Sequence, residues 1–204
     1  YMVKSGLVER TDVSQYRLAF HLTLACAIFA ALVWTARSLA PQDIRAAAPS
    51  RLRVGALVLL GLVFLQIYLG ALVAGLDAGL TYNTWPLMDG RLFPPASELF
   101  LLDPAWRNLF ENVLTVQFEH RMAAYLVLLA AALHAVQCVR APQAASFGSG
   151  ALVLLGVVLG QAVLGIATLL TLVPLPLALA HQAGAVVVLA AATVQAQRLS
   201  AARG

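Results

Sequence analysis

Charge is what this sequence has least of. Of its 204 residues only 11% are Asp, Glu, Lys or Arg, while 61% are apolar. A soluble domain carries about a quarter charged residues, so a water-soluble globule is excluded and the chain reads as an integral membrane protein. Cysteine is scarce too. Cys26 and Cys138 are the two, both in or at the end of apolar stretches and far apart, which argues against a disulfide framework or a thiolate metal centre. The net charge is +4, yet no long basic run exists. Lys and Arg are scattered between apolar stretches, so nucleic acid is excluded as a partner. No signal peptide precedes the first apolar stretch, and residue 1 is Tyr, so the chain reads as a fragment or a processed product.

Long apolar runs are what is there. A helix needs about 20 apolar residues to cross ~30 Å of hydrocarbon. Five segments qualify, at 17–37, 52–76, 112–139, 149–173 and 175–197. Residues 1–8, YMVKSGLV, read as the tail of a further span upstream. The connections are an Arg-rich loop at 37–53, a long loop at 77–111, a short polar loop at 140–148 and a Pro turn at 173–176. Arg37, Arg45, Arg51 and Arg53 crowd the first connection against one acid, Asp43. Arg140, Arg198 and Arg203 fall on the same side. The positive-inside rule therefore puts that side in the cytoplasm or matrix, and the 77–111 loop outside. A loop of that length is more often functional than idle. Within it, Asp103-Pro104 reads as an N-cap and first helical residue, opening a short surface helix over 104–110 with Trp106 in the aromatic belt.

The stretch VQFEHRMAAYLVLLAAALHA, 116–135, sets Glu119, His120 and Arg121 at the lip of a span. At 1.5 Å per residue, His120 lies ~28 Å from the far end of its helix, His181 ~25 Å and His21 ~24 Å. All three helices run the same way, so the three imidazoles share one depth near the outer edge. One histidine in a span is more often a hydrogen-bonding residue than a ligand, but three at one level shift that balance. Intramembrane ionisable groups face a bundle interior or cavity, and two imidazoles from facing helices can ligate haem iron axially. Zinc is disfavoured, since no further Cys or acid sits at ligand spacing. Arg121 is placed either to meet a haem propionate or to snorkel to the interface. His134, near the inner side, has no second histidine at its depth and reads as a packing or hydrogen-bonding residue.

GLVFLQIYLG (61–70) and GVVLGQAVLG (156–165) match at five of ten positions. Gln66 and Gln161 both fall near mid-membrane, where their amides need interior partners; shared Gly-rich packing faces are the other source of such a match. The expected fold is thus all-α and membrane-integral. Residues 51–204 form a complete four-helix bundle (52–197), and residues 1–50 supply the last helix, 17–37, of a preceding bundle related by pseudo-symmetry about the membrane normal.

GALVAGLDAGLTYNTWPLMDGRLFPP (70–95), QFEHR (117–121) and the His181-Gln182 start of the last helix resemble the second half of the haem A synthase family, in its alphaproteobacterial and mitochondrial form. The resemblance spans nearly the whole chain. It implies eight spans in two pseudo-symmetric halves and oxidation of the C8 methyl of haem O to a formyl group for cytochrome oxidase assembly. It implies that His120 and His181 ligate a haem b iron that carries electrons. His21 is then a ligand to the substrate haem, and its partner lies upstream. The family's catalytic Glu lies three residues before the first His of the other half. Here that offset from His120 gives Gln117, and Glu119 is turned about 100° away, so the acid is expected outside this chain. Tyr82, Asn83 and Trp85 are expected to form a lid over the haem. Haem O, membrane lipid, haem O synthase, cytochrome oxidase assembly factors and a second copy of the chain are the partners the resemblance brings, in a bacterial or mitochondrial inner membrane. Two rival readings stay open: a bis-His electron-transfer subunit without catalysis, and a haem-free protein whose histidines only bridge helices.

Overall fold

The computed structural model describes residues 13–40, 48–142 and 144–201. Residues 1–8, Asp43, Arg45 and Arg203 lie outside the described residues. Among the described residues, seven α-helices follow one another: α1 (Gln15–Leu39), α2 (Ser50–Gly75), the short α3 (Ala96–Leu99) and α4 (Asn108–Glu111), α5 (Val113–Arg140), α6 (Ala144–Leu170) and α7 (Leu175–Ala201). Five of them are long and apolar enough to cross a membrane. The protein is an all-α, multi-pass membrane protein.

The long helices close a ring. α2 packs on α5, α5 on α6, α6 on α7 and α7 back on α2, while α1 leans outside the ring on α2 and α7. The ring interior uses small side chains, including Ala56, Ala131, Ala135, Ala151, Ala192 and Ala196. In lipid there is no hydrophobic drive between helices, and small residues let backbones approach closely enough for dispersion to hold them. The large apolar residues point outward instead: Leu32, Val54, Leu129, Val153 and Val163 are all exposed.

Apolar packing is uneven along the bundle axis. A central cluster around Leu59, Val63, Leu154 and Leu189 joins all four ring helices and Cys26 and Ala30 of α1. A second cluster fills the end away from the long loop, around Leu52, Cys138, Phe147 and Leu199. At the loop end the third cluster, Ala19, Leu69, Ala71, Leu72, Val116 and Ala123, draws on α1, α2 and α5 alone.

Two local expectations need correction. α6 begins at Ala144, inside the stretch read as a polar loop, because Phe147 is buried in the second cluster and carries the helix back with it. Asp103 does not cap a helix. Pro104 is extended, a single tight turn spans Ala105–Arg107, and α4 follows. The side chain that organises this corner is Asn108, fully buried. Its Oδ1 accepts from Leu102 N at 2.9 Å, and its Nδ2 donates to Leu102 O at 2.8 Å and Ala105 O at 2.9 Å. Trp106 is exposed. Asn112 then caps α5 by accepting from Leu114 N and Thr115 N. Arg107 donates to Glu111 at 2.6 Å, and Tyr16 of α1 donates to the same carboxylate at 2.8 Å. The Arg107 hydrogen bond, then that of Tyr16, holds the Glu111 carboxyl below its ordinary range.

Candidate cofactor site

On a helix, residues four apart lie on one face. Gln66 and Gly70 of α2 are such a pair, and His120 of α5 fills the space between them. Gln66 Nε2 donates to His120 Nδ1 at 3.0 Å and to the His120 backbone carbonyl at 3.2 Å. A Cβ on Gly70 would lie 3.0 Å from His120 Cε1. The arrangement recurs between α6 and α7. Gln161 Nε2 donates to His181 Nδ1 at 3.1 Å and to the His181 carbonyl at 2.8 Å. A Cβ on Gly165 would lie 2.7 Å from His181 Cε1. Gln66 and Gly70 are the sixth and tenth residues of the first sequence repeat, and Gln161 and Gly165 those of the second. The repeat therefore encodes a socket for an imidazole, built twice.

The two sockets sit on opposite sides of the ring, with α5 facing α7 across it. His120 and His181 are only half-buried. Around them the apolar core is thin, since α6 and α7 give nothing to the cluster at this end. Each glutamine also leaves its buried Oε1 without a hydrogen-bond partner. Such an atom costs stability unless something arrives to use it. Two neutral imidazoles at one depth can give a metal two nitrogen lone pairs. No group of three or more His, Cys, Asp or Glu that could hold a metal ion exists among the described residues. The donor set fits a metal that brings its own equatorial ligands, as a porphyrin iron does.

One turn of α5 ties down the long loop. Gln117 Nε2 donates to Ala78 O at 3.0 Å and Tyr82 O at 3.3 Å. Arg121 donates to Tyr82 O at 2.8 Å, Leu87 O at 3.3 Å and Gln117 Oε1 at 3.2 Å. The residue is 8% exposed, all three acceptors are neutral, and its Nε has no partner. A buried cation with only neutral acceptors favours the arrival of an anion. Asn83 donates to Gly79 O and, at 3.2 Å, to Leu169 O near the end of α6. Trp85 Nε1 donates to the Tyr125 hydroxyl of α5 at 3.0 Å. Burial, then the charges of Asp89 and Glu98, pushes the Tyr82 phenol up and keeps it protonated. The loop is thus strapped across the end of the bundle that holds the sockets.

The other sequence candidates lie elsewhere. His21 is exposed on α1, outside the ring. Glu119 shares neither socket. His134 is buried near the far end, where Gln195 Nε2 donates to its Nε2 at 3.4 Å and Cys138 Sγ lies 3.5 Å from the same atom. Its buried Nδ1 has no hydrogen-bond partner. Gln117 and the two socket glycines are what the sequence reading missed as site residues. Their signal was the i, i+4 spacing to Arg121 and to the two glutamines.

The family model described as cytochrome oxidase assembly protein (COX15-CtaA) matches residues 1–193. A protein named "Heme A synthase" from Bradyrhizobium diazoefficiens is 58% identical over 98% of this chain and 55% of its own length. Proteins of the same name from Azorhizobium caulinodans and Rhodopseudomonas palustris (strain HaA2) are 56% and 55% identical, over 96% and 100% of this chain and 55% of each relative. The chain spans about half the length of these relatives. No solved structure matches it. With a family match along most of its length and identities above half, the chain belongs to the cytochrome oxidase assembly protein family.

Proposed function

We propose that this chain forms the haem b-binding half of a haem A synthase, which oxidises the C8 methyl of haem O to a formyl group. The observation that carries the reading is the doubled Gln–Gly–His socket at one depth of the ring. His120 and His181 would hold the haem iron. Arg121, buried among neutral acceptors, would take a propionate, and the strap carrying Tyr82, Asn83 and Trp85 would cover that edge. His21, exposed on α1, would serve the substrate haem together with residues outside this chain. The bound haem supplies the electron transfer. What the residues supply is a fixed pair of nitrogen donors, a positive charge at the mouth and a loop that limits water. The setting we propose is a bacterial inner membrane with the loop end outside.

The test is haem content by pyridine haemochrome together with optical spectra of the purified full-length protein. The wild type is expected to carry a low-spin b-type haem. His120→Ala and His181→Ala are each expected to lose that spectrum, by more than tenfold in occupancy. A wild type with no Soret band would leave only the haem-free reading. Haem O to haem A conversion in membranes separates the synthase from a bis-His electron carrier, which would hold the same haem without forming product.

A further inference from the structure

The sockets raise a question that holding a ring in place does not answer. Gln161 Nε2 reaches His181 Nδ1 and its backbone carbonyl, and Gln66 Nε2 reaches the His120 backbone carbonyl and its ring, nearer Nδ1 (3.0 Å) than Nε2 (3.3 Å). An Nδ1 that accepts from the amide leaves the ring proton to Nε2. A metal bound at Nε2 needs that lone pair free, so the proton must move to Nδ1, which then has to donate. The acceptor it requires is already there. Gln66 Oε1 and Gln161 Oε1 are buried and unpartnered, on the same amides that touch Nδ1. Half a turn of either amide brings its oxygen to the ring. That turn gives up the bond to the backbone carbonyl, which the helix itself still satisfies, and the oxygen must settle against Nδ1 clear of that carbonyl. Gln161 Oε1 lies against Gly184, where a side chain would collide with it.

Resting on the haem-ligand reading above, we propose that Gln66 and Gln161 are positioning residues that select the histidine tautomer. They donate to Nδ1 in the metal-free protein and accept from Nδ1 once Nε2 is ligated. An acceptor on Nδ1–H makes the imidazole a stronger electron donor and favours the ferric state. Because the socket is doubled, both glutamines act in the same sense.

The experiment compares Gln66→Leu, Gln161→Leu, Gln66→Glu and Gln161→Glu with wild type in the full-length protein. Leu keeps the bulk without an acceptor, whereas Glu offers acceptors only. The midpoint potential of the b-type haem is expected to rise in the Leu variants and to fall in the Glu variants. Loss of haem in a Leu variant with retention in the matching Glu variant also supports the inference. Potentials that stay at the wild-type value, or loss of haem from Leu and Glu variants alike, overturn it. A second measurement needs no variant. With 13C-labelled glutamine amides, the infrared difference between haem-loaded and haem-free wild type should show carbonyl stretches moving to lower frequency. Absence of that shift overturns the inference as well. If wild type binds no haem at all, it is the haem-ligand reading that fails.

Discussion

A methyl group added at Gly165 would sit 2.7 Å from His181 Cε1, and one at Gly70 would sit 3.0 Å from His120 Cε1. Real carbon atoms do not tolerate the first distance and barely tolerate the second, so the ring must move. Gly61 and Gly156, which also match between the repeats, have nothing within 4 Å of the same added atom. The four positions should therefore split. Gly165→Ala should lower thermal stability by about 1–3 kcal/mol through overpacking and reduce haem content, with Gly70→Ala milder in both. Gly61→Ala and Gly156→Ala should be neutral or gain about 0.5–1 kcal/mol from helix propensity. Thermal unfolding in detergent and haem per protein would check the split, and four equal responses would refute it. At this scale the sequence disclosed half of the design. Both glutamines and both glycines stand in alignment, but 54 residues separate Gln66 from His120 while 20 separate Gln161 from His181. The long loop sits inside one repeat only, and it hid the fact that each motif serves a histidine.

Elements were more legible than contacts, because hydrocarbon thickness dictates helix length and the apolar runs report it directly. The five spans appear within a few residues of their expected positions, and the exception is physical. α6 starts early because one buried aromatic, Phe147, outweighs its Ser- and Gly-containing neighbourhood. The turn between α6 and α7 was legible as a Pro turn but not in its mechanism. Val173 N donates to Thr168 O at 2.9 Å and Leu172 N to Leu169 O at 3.1 Å. That is the Schellman pattern of closing a helix, which normally places Gly at the left-handed position. Here Leu172 occupies it with φ 64°, followed by Val173 at φ 55°. Left-handed backbone costs a side-chain-bearing residue roughly 1–2 kcal/mol, and Leu172 is largely exposed, so its side chain returns little. Leu172→Gly should therefore raise stability by about 1 kcal/mol, read as a higher thermal midpoint with the helix content unchanged. A lower midpoint would mean that the leucine makes a contact with lipid or with another chain worth more than the strain.

For the whole molecule the open quantity is which way the ring stands in the membrane, and the fold sharpens the charge argument. Arg37, Arg51, Arg53, Arg140 and Arg198 all lie at the ends of long helices on the side away from the loop. Arg17, Arg91, Arg107 and Arg121 lie toward the loop end. There Arg91 is paired with Glu98 at 3.0 Å and Arg107 with Glu111 at 2.6 Å, while Arg121 is buried under the strap. Orientation follows Lys and Arg in short connections near span ends more than net charge. The connection from α1 to α2 is short and Arg-rich in sequence, and the short one from α5 to α6 is flanked by Arg140. The loop end should then face outward, with the sockets just beneath it. Cys26 and Cys138 are both buried, so they should stay silent to a membrane-impermeant maleimide and leave a clean background. Ser97→Cys, on exposed α3, should label in intact cells. Pro142→Cys, exposed between α5 and α6, should label only after the membrane is opened. The reverse pattern would put the strap and Arg121 on the cytoplasmic side, and any haem held there would exchange electrons across the opposite face of the membrane.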